Sequence, residues 1–193
     1  MQSHDKTAVL PAGSWANGTP PSNSVLGLNT LLTGDLAFKR FQSKQPNALI
    51  IGAHCTMDGV HFALGEQGRV QIGDYCYFTN AVLLCELELT IGNYVVAGWN
   101  TTLADTDFHP IAPAARIQDA IACSPLGHGR ERPLIQTRPV VVEDDVWIGP
   151  NVTILKGVRI GQGAFIEPGS LITHEVPPRA RMLGNPAKII GFV

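Results

Sequence analysis

The run Asp105-Thr106-Asp107-Phe108-His109-Pro110 sets one imidazole close to two carboxylates and directly before a proline. Proline confines the preceding residue to extended backbone, so His109 has little freedom in the main chain. A carboxylate that bonds one imidazole nitrogen fixes the tautomer and raises the basicity of the other. Asp107 or Asp105 is expected to play that part, and His109 is then a candidate general base. The plain alternatives are a loop histidine that bonds backbone or solvent, and aspartates that close Asx turns.

Something rigid must hold such a loop. In VWIGPNVTILKGVRIGQGAFIEPGSLIT, Val146 to Thr173, isoleucines fall at 148, 154, 160, 166 and 172, each six apart. Two residues before them stand Val146, Val152, Val158, Ala164 and Ser170, small or β-branched. Strand alternation puts both sets on one side of the chain. The residues after each isoleucine, GPN, LKG, GQG and EPG, are turn formers. Each hexad is therefore a short strand and a corner, and three hexads close one triangular coil of about 18 residues. Stacked coils form parallel strands about 4.8 Å apart, an all-β hexapeptide-repeat parallel β-helix.

The same phase is found upstream at Ile51-Gly52, Ile72-Gly73 and Ile91-Gly92, with Cys55 and Cys76 at the small inward position. It frays between Met57 and Ile72, where an irregular coil is expected. It stops after Leu103 and resumes at Val142. The reading is a single domain over 1–193. It comprises an irregular segment over 1–45, a β-helix over 46–175 with a loop at 104–139 extruded, and a tail over 176–193. Residues just before the isoleucines point outward, so Trp147 is expected beside Phe165, and Thr153 beside Leu171. Burying one large exposed apolar group is worth about 1.5–3 kcal/mol, which favours a subunit contact there, and a triangular column suggests a cyclic trimer.

Composition narrows the options. The chain has 193 residues, net charge −2 and 16% charged residues. No long basic run suggests nucleic acid or an anionic membrane, and no apolar span is long enough to cross a bilayer. The start, MQSHDKTAVLPAGSW, has no apolar leader core, so the cytoplasm is the expected compartment. Four cysteines without a C-x-x-C pair read as reduced core thiols.

These residues support a resemblance. DTDFHP, Arg116, and the run from RPVVVEDDVWIGPN to VPPRARMLGNPAKII resemble the hexapeptide-repeat acyltransferases. The nearest group is that of the maltose and galactoside O-acetyltransferases, and within it the cell-surface-polysaccharide enzymes. The resemblance implies a left-handed coil, acetyl-CoA as acyl donor, no metal, and a homotrimer with active sites between subunits. It makes the histidine of the HP motif, His109, the catalytic base. It places the pantetheine groove along Trp147, with Pro150, Pro168, Thr173, His174 and Lys188 as CoA contacts. It puts an acceptor-binding residue at Thr79 or Asn80, with Arg116 as a further candidate. Pro150 and Pro168 have no N–H to offer the pantetheine arm. His174 stands where relatives usually carry Lys. The segment Gly127-His128-Gly129-Arg130-Glu131-Arg132 could form a lid.

The implied reaction moves acetyl from acetyl-CoA to a hydroxyl of a sugar or glycan precursor. Three other functions fit the scaffold: an antibiotic O-acetyltransferase, a non-catalytic solenoid platform, and a solenoid carbonic anhydrase. The last needs three histidines around zinc, and His4, His54, His61, His109, His128 and His174 contain no H-x₄-H pair.

Overall fold

A computed structural model of the chain describes residues 12–127 and 129–193; His4 and His128 lie outside them. The chain winds as a triangular column of three sheets, parallel except for the last strand of one. Face I has nine strands, face II five and face III six. The chain visits them in the order I, II, III, as in Trp147–Ile148, Thr153–Ile154 and Arg159–Ile160.

Like residues stack down the axis. On face I the inward column is Leu32, Met57, Phe78, Ala97, Ile148, Ile166 and Met182, each paired with the next. Face II stacks Phe62, Leu83, Leu103, Ile154 and Ile172. All five isoleucines of the hexad run are buried, as are Val146, Val152, Val158, Ala164 and Ser170. Trp147 lies flat on Phe165, ring centroids 4.2 Å apart. The pairing of Thr153 with Leu171 is also as expected.

The corners explain the Ile-Gly pairs. Asp74 Oδ1 accepts the Ala53 N–H (2.7 Å), Asn93 Oδ1 that of Asp74 (2.8 Å) and Asp144 Oδ1 that of Asn93 (2.7 Å). Each oxygen lies over a glycine of the preceding coil. A Cβ on Gly52, Gly73 or Gly92 would sit 2.3, 2.5 or 2.2 Å from it. The corner ladder between faces III and I thus requires glycine for close approach, not for an unusual φ.

Four expectations are corrected. The coil between Met57 and Ile72 keeps its strands, His61–Leu64 and Arg69–Ile72. The phase frays there because the corner Gly65–Gly68 is longer. The solenoid begins well before residue 46: Ser14–Trp15 pairs with Leu31–Leu32, and Ser24–Leu26 with Leu49–Ile51. The signal was present, since Leu26, Leu32 and Phe38 are six apart. Residues 39–48 then break the phase. The segment 176–193 is not a loose tail. Ala180–Gly184 extends face I and turns back as an antiparallel hairpin with Ala187–Phe192. The excursion is not structureless either. It holds helix α1, Pro113–Ala122, with proline in its first turn, and a short 3₁₀ turn, Pro125–Gly127. Cys55, Cys76 and Cys85 are free and buried, whereas Cys123 is exposed just after α1.

Candidate active site

The excursion leaves face II after strand Thr102–Ala104, at the corner leading to face III. Its neck is closed by Asp105, which is fully buried. The Asp105 carboxylate accepts N–H groups from Glu86, Leu87 and Glu88 at 2.7–2.8 Å, and its carbonyl accepts that of Arg138 at 2.8 Å. Asp105 is therefore a structural clamp that turns the preceding coil. All its bonds go to backbone, so it does not orient His109. Thr106 pairs with Thr137 in an antiparallel bridge, and the Asp107 N–H bonds Gln136 O.

Beyond the neck the chain makes a tight three-residue turn. Phe108 has φ +65°, and the His109 N–H donates to Asp107 O at 2.7 Å. A three-residue turn with positive φ at its centre is rare and strained, and such strain persists only where its surroundings enforce it. Asp107 is one enforcer, held by Lys156 Nζ at 2.8 Å in a mostly buried ion pair. Asp107 thus fixes the turn rather than the ring.

The partner of the ring is Asp119 on α1. His109 Nδ1 lies 2.5 Å from Asp119 Oδ2. Asp119 is fully buried and also receives Arg132, Nε to Oδ1 at 2.7 Å and Nη2 to Oδ2 at 3.1 Å. Arg132 Nη2 further donates to Phe108 O at 3.0 Å, which braces the strained turn. The Arg132 guanidinium, with His109 adding to it, holds the Asp119 carboxyl down at about 2 against the desolvation that would raise it. An ionised Asp119 accepts the hydrogen bond of an Nδ1–H, which leaves the Nε2 lone pair free. The His109 side chain is 58% exposed, and among the described residues Nε2 has no hydrogen-bond partner. Asp119, Arg132 and Lys156 were not among the sequence candidates. The first two sit inside the excursion, whose helical character, Pro-Ala-Ala at the start of PAARIQDAIA, was the available clue.

The other candidates fall at two edges of the column and on face I. Thr173 lines an open cleft of about 390 Å³ with Asp107, Phe108 and Lys156, beside the histidine loop. Its Oγ1 lies 2.7 Å from the Nδ1 of the adjoining His174. Pro150 and Pro168 are at the corner between faces I and II, where coils touch so closely that a Cβ on Gly98 would meet Pro150 Cδ at 2.8 Å and one on Gly149 the Pro168 N at 2.7 Å. Trp147 stands on face I beside that corner, and Lys188 is exposed on the hairpin. Thr79 is buried, while its neighbour Asn80 is exposed with φ +48°, again between faces I and II. One chain therefore brings Asp107, Phe108 and Thr173 to one cleft, with His109 next in sequence, and keeps Asn80, Pro150 and Pro168 on the far edge of face II. Arg116 Nη1 donates to Ile111 O at 2.9 Å and ties the excursion internally. The lid expectation at 127–132 meets Arg132 held by Asp119, with His128 outside the described residues. Among the described residues no three His, Cys, Asp or Glu side chains gather as a metal site.

Comparison with known proteins agrees with this architecture. Residues 139–174 match the family model described as bacterial transferase hexapeptide (six repeats). A galactoside O-acetyltransferase of Lactococcus lactis subsp. lactis is 30% identical over 141 residues, which span 72% of this chain but only 60% of that enzyme. A hexapeptide-repeat acetyltransferase of Vibrio cholerae superposes with TM-score 0.58 at 30% identity, covering 72% of this chain and 69% of that one. Its acetyl-CoA complex superposes with TM-score 0.53 at 28% identity, covering 70% and 71%. With its hexad core, clamped excursion and these matches, the chain belongs to the hexapeptide-repeat transferase family.

Proposed function

We propose that the chain transfers acetyl from acetyl-CoA to a hydroxyl of a sugar or glycan precursor, with His109 as general base in a ternary complex. The observation that carries this reading is the His109–Asp119–Arg132 chain, in which Asp119 engages Nδ1 and leaves Nε2 of an exposed imidazole without a partner among the described residues, next to Asp107 and Phe108 of the open cleft. Nε2 takes the proton of the acceptor hydroxyl as its oxygen attacks the thioester carbonyl carbon. The tetrahedral intermediate then expels the CoA thiolate, which recovers the proton from Nε2. Asp119 stabilises the imidazolium between the two transfers. The acetyl-CoA complex of the Vibrio cholerae relative supports the choice of donor. The pantetheine arm is assigned apolar contact with Trp147, Pro150 and Pro168, whose prolines have no N–H to give. Thr173, His174 and Lys188 are assigned to the remainder of CoA.

The working form is a homotrimer. Two features support it: the exposed-side stack of Trp147 on Phe165, and the separation of Asn80 from His109 within one chain. The described cysteines are all free thiols, which suits the cytoplasm. Release of CoA thiol with a panel of sugars and nucleotide sugars tests the reading. His109→Ala should lower turnover by about 10²–10⁴-fold with acetyl-CoA affinity little changed. A variant that keeps full rate on a confirmed acceptor would remove His109 from the mechanism.

A further inference from the structure

Face II carries a second concavity, on the N-terminal side of the histidine loop. Residues 33–48 fold over this face and are bonded to it. The Phe62 N–H donates to Ala37 O at 2.8 Å and the Leu64 N–H to Arg40 O at 3.1 Å. Between this turn and the strands lies a cavity of about 360 Å³, lined by Leu36, Lys39, Arg40, His61, Val82 and Leu84 among others. No carboxylate lines it, and among the described residues neither Lys39 nor Arg40 forms an ion pair. Two cations and an imidazole above an apolar floor suit an anionic group attached to a less polar body.

Its position relates it to the transfer site. On face II, His61 pairs with Val82, Val82 with Thr102, Thr102 with Thr153 and Thr153 with Leu171. The strand that launches His109 is the Thr102 strand. At about 4.8 Å per coil, the cavity lies roughly 5–10 Å along the axis from that strand. The candidate donor residues Pro150, Pro168 and Thr173 belong to the coils on its other side. Donor and cavity thus approach the imidazole from opposite ends.

We propose that this cavity anchors the acceptor through an anionic group, phosphoryl or carboxylate, held by Lys39 and Arg40 with His61 as a further donor. The inference rests on the transferase reading for the word acceptor, and on the cavity alone for anion binding.

Binding of UDP-glucose, glucuronic acid and maltose is to be measured without acetyl-CoA, on the wild type and on a Lys39→Ala/Arg40→Ala double variant. The wild type should bind one of the anionic probes at least tenfold more tightly than maltose. The double variant should lose that margin tenfold or more, with acetyl-CoA affinity within twofold. UDP-glucose and glucuronic acid separate phosphoryl from carboxylate recognition. In turnover, the double variant should raise the KM of the anionic acceptor tenfold and leave kcat within about threefold. A Lys39→Arg/Arg40→Lys variant should restore binding, which controls for folding. Equal binding of anions and maltose by the wild type, or anion affinity unaltered in the double variant, would overturn the proposal. Tight anion binding without any thiol release would instead count against the transferase reading.

Discussion

Asp119 does for His109 what the nearer aspartates do not. Asp105 spends both carboxylate oxygens on backbone N–H groups and Asp107 is taken by Lys156, so a third acid completes the site from ten residues downstream. Proximity in sequence is a poor guide here because the excursion must first be closed at its neck, and the closest carboxylates do that. Asp119→Asn should keep the packing but lose the charge, and the amide can donate to Nδ1 and favour the wrong tautomer. We expect kcat to fall by about 10²-fold or more with acetyl-CoA KM unchanged. The variant also has a pH signature in stability, separate from its effect on turnover. The native Asp119 carboxyl is held below its usual 3.8, at about 2, chiefly by Arg132. Its contribution to stability is therefore complete above pH ~4 and lost as pH falls towards 2. Thermal midpoints across that window should fall more steeply for wild type than for Asp119→Asn. Parallel curves would show that the buried pair with Arg132 does not form.

At the scale of elements, the hexads were legible because a stacked solenoid repeats one environment many times, so every coil prints the same period. What escaped was whatever breaks that repetition. Residues 39–48 hide two N-terminal coils by inserting a long corner, and helix α1 carries no hexad signal at all. The Ile-Gly corners permit a sharp energetic test. Gly92→Ala would bring a Cβ within 2.2 Å of Asp144 Oδ1 and 2.8 Å of Asp144 N, against a backbone hydrogen-bonded on both sides. Overpacking of this kind costs about 1–3 kcal/mol. Gly191→Ala, where nothing lies within 4 Å, should cost far less. Denaturant midpoints of the two variants compare them directly. Equal midpoints would mean that the corners yield easily and that the ladder of Asp74, Asn93 and Asp144 oxygens does not fix coil stacking.

At the scale of the whole molecule, the column has edges that cannot meet within one copy. His109 projects from the corner between faces II and III, whereas Asn80 sits between faces I and II. If each site is built between adjacent copies of a cyclic assembly, His109 comes from one copy and Asn80 from the next. His109→Ala and Asn80→Ala trimers, each impaired alone, should then rescue each other. When the two are unfolded together and refolded at equal amounts, about one site in four combines an intact imidazole with an intact amide. Thiol release by the mixture should approach that fraction of wild-type turnover, while separately refolded and then combined samples stay inactive. Rescue requires both the assembly and the split of the site across it. A mixture no more active than its components would place both residues' work in a single chain, or take Asn80 out of the site. Sedimentation of wild type decides between these, since a monomer excludes a shared cleft and a trimer leaves Asn80 as the error.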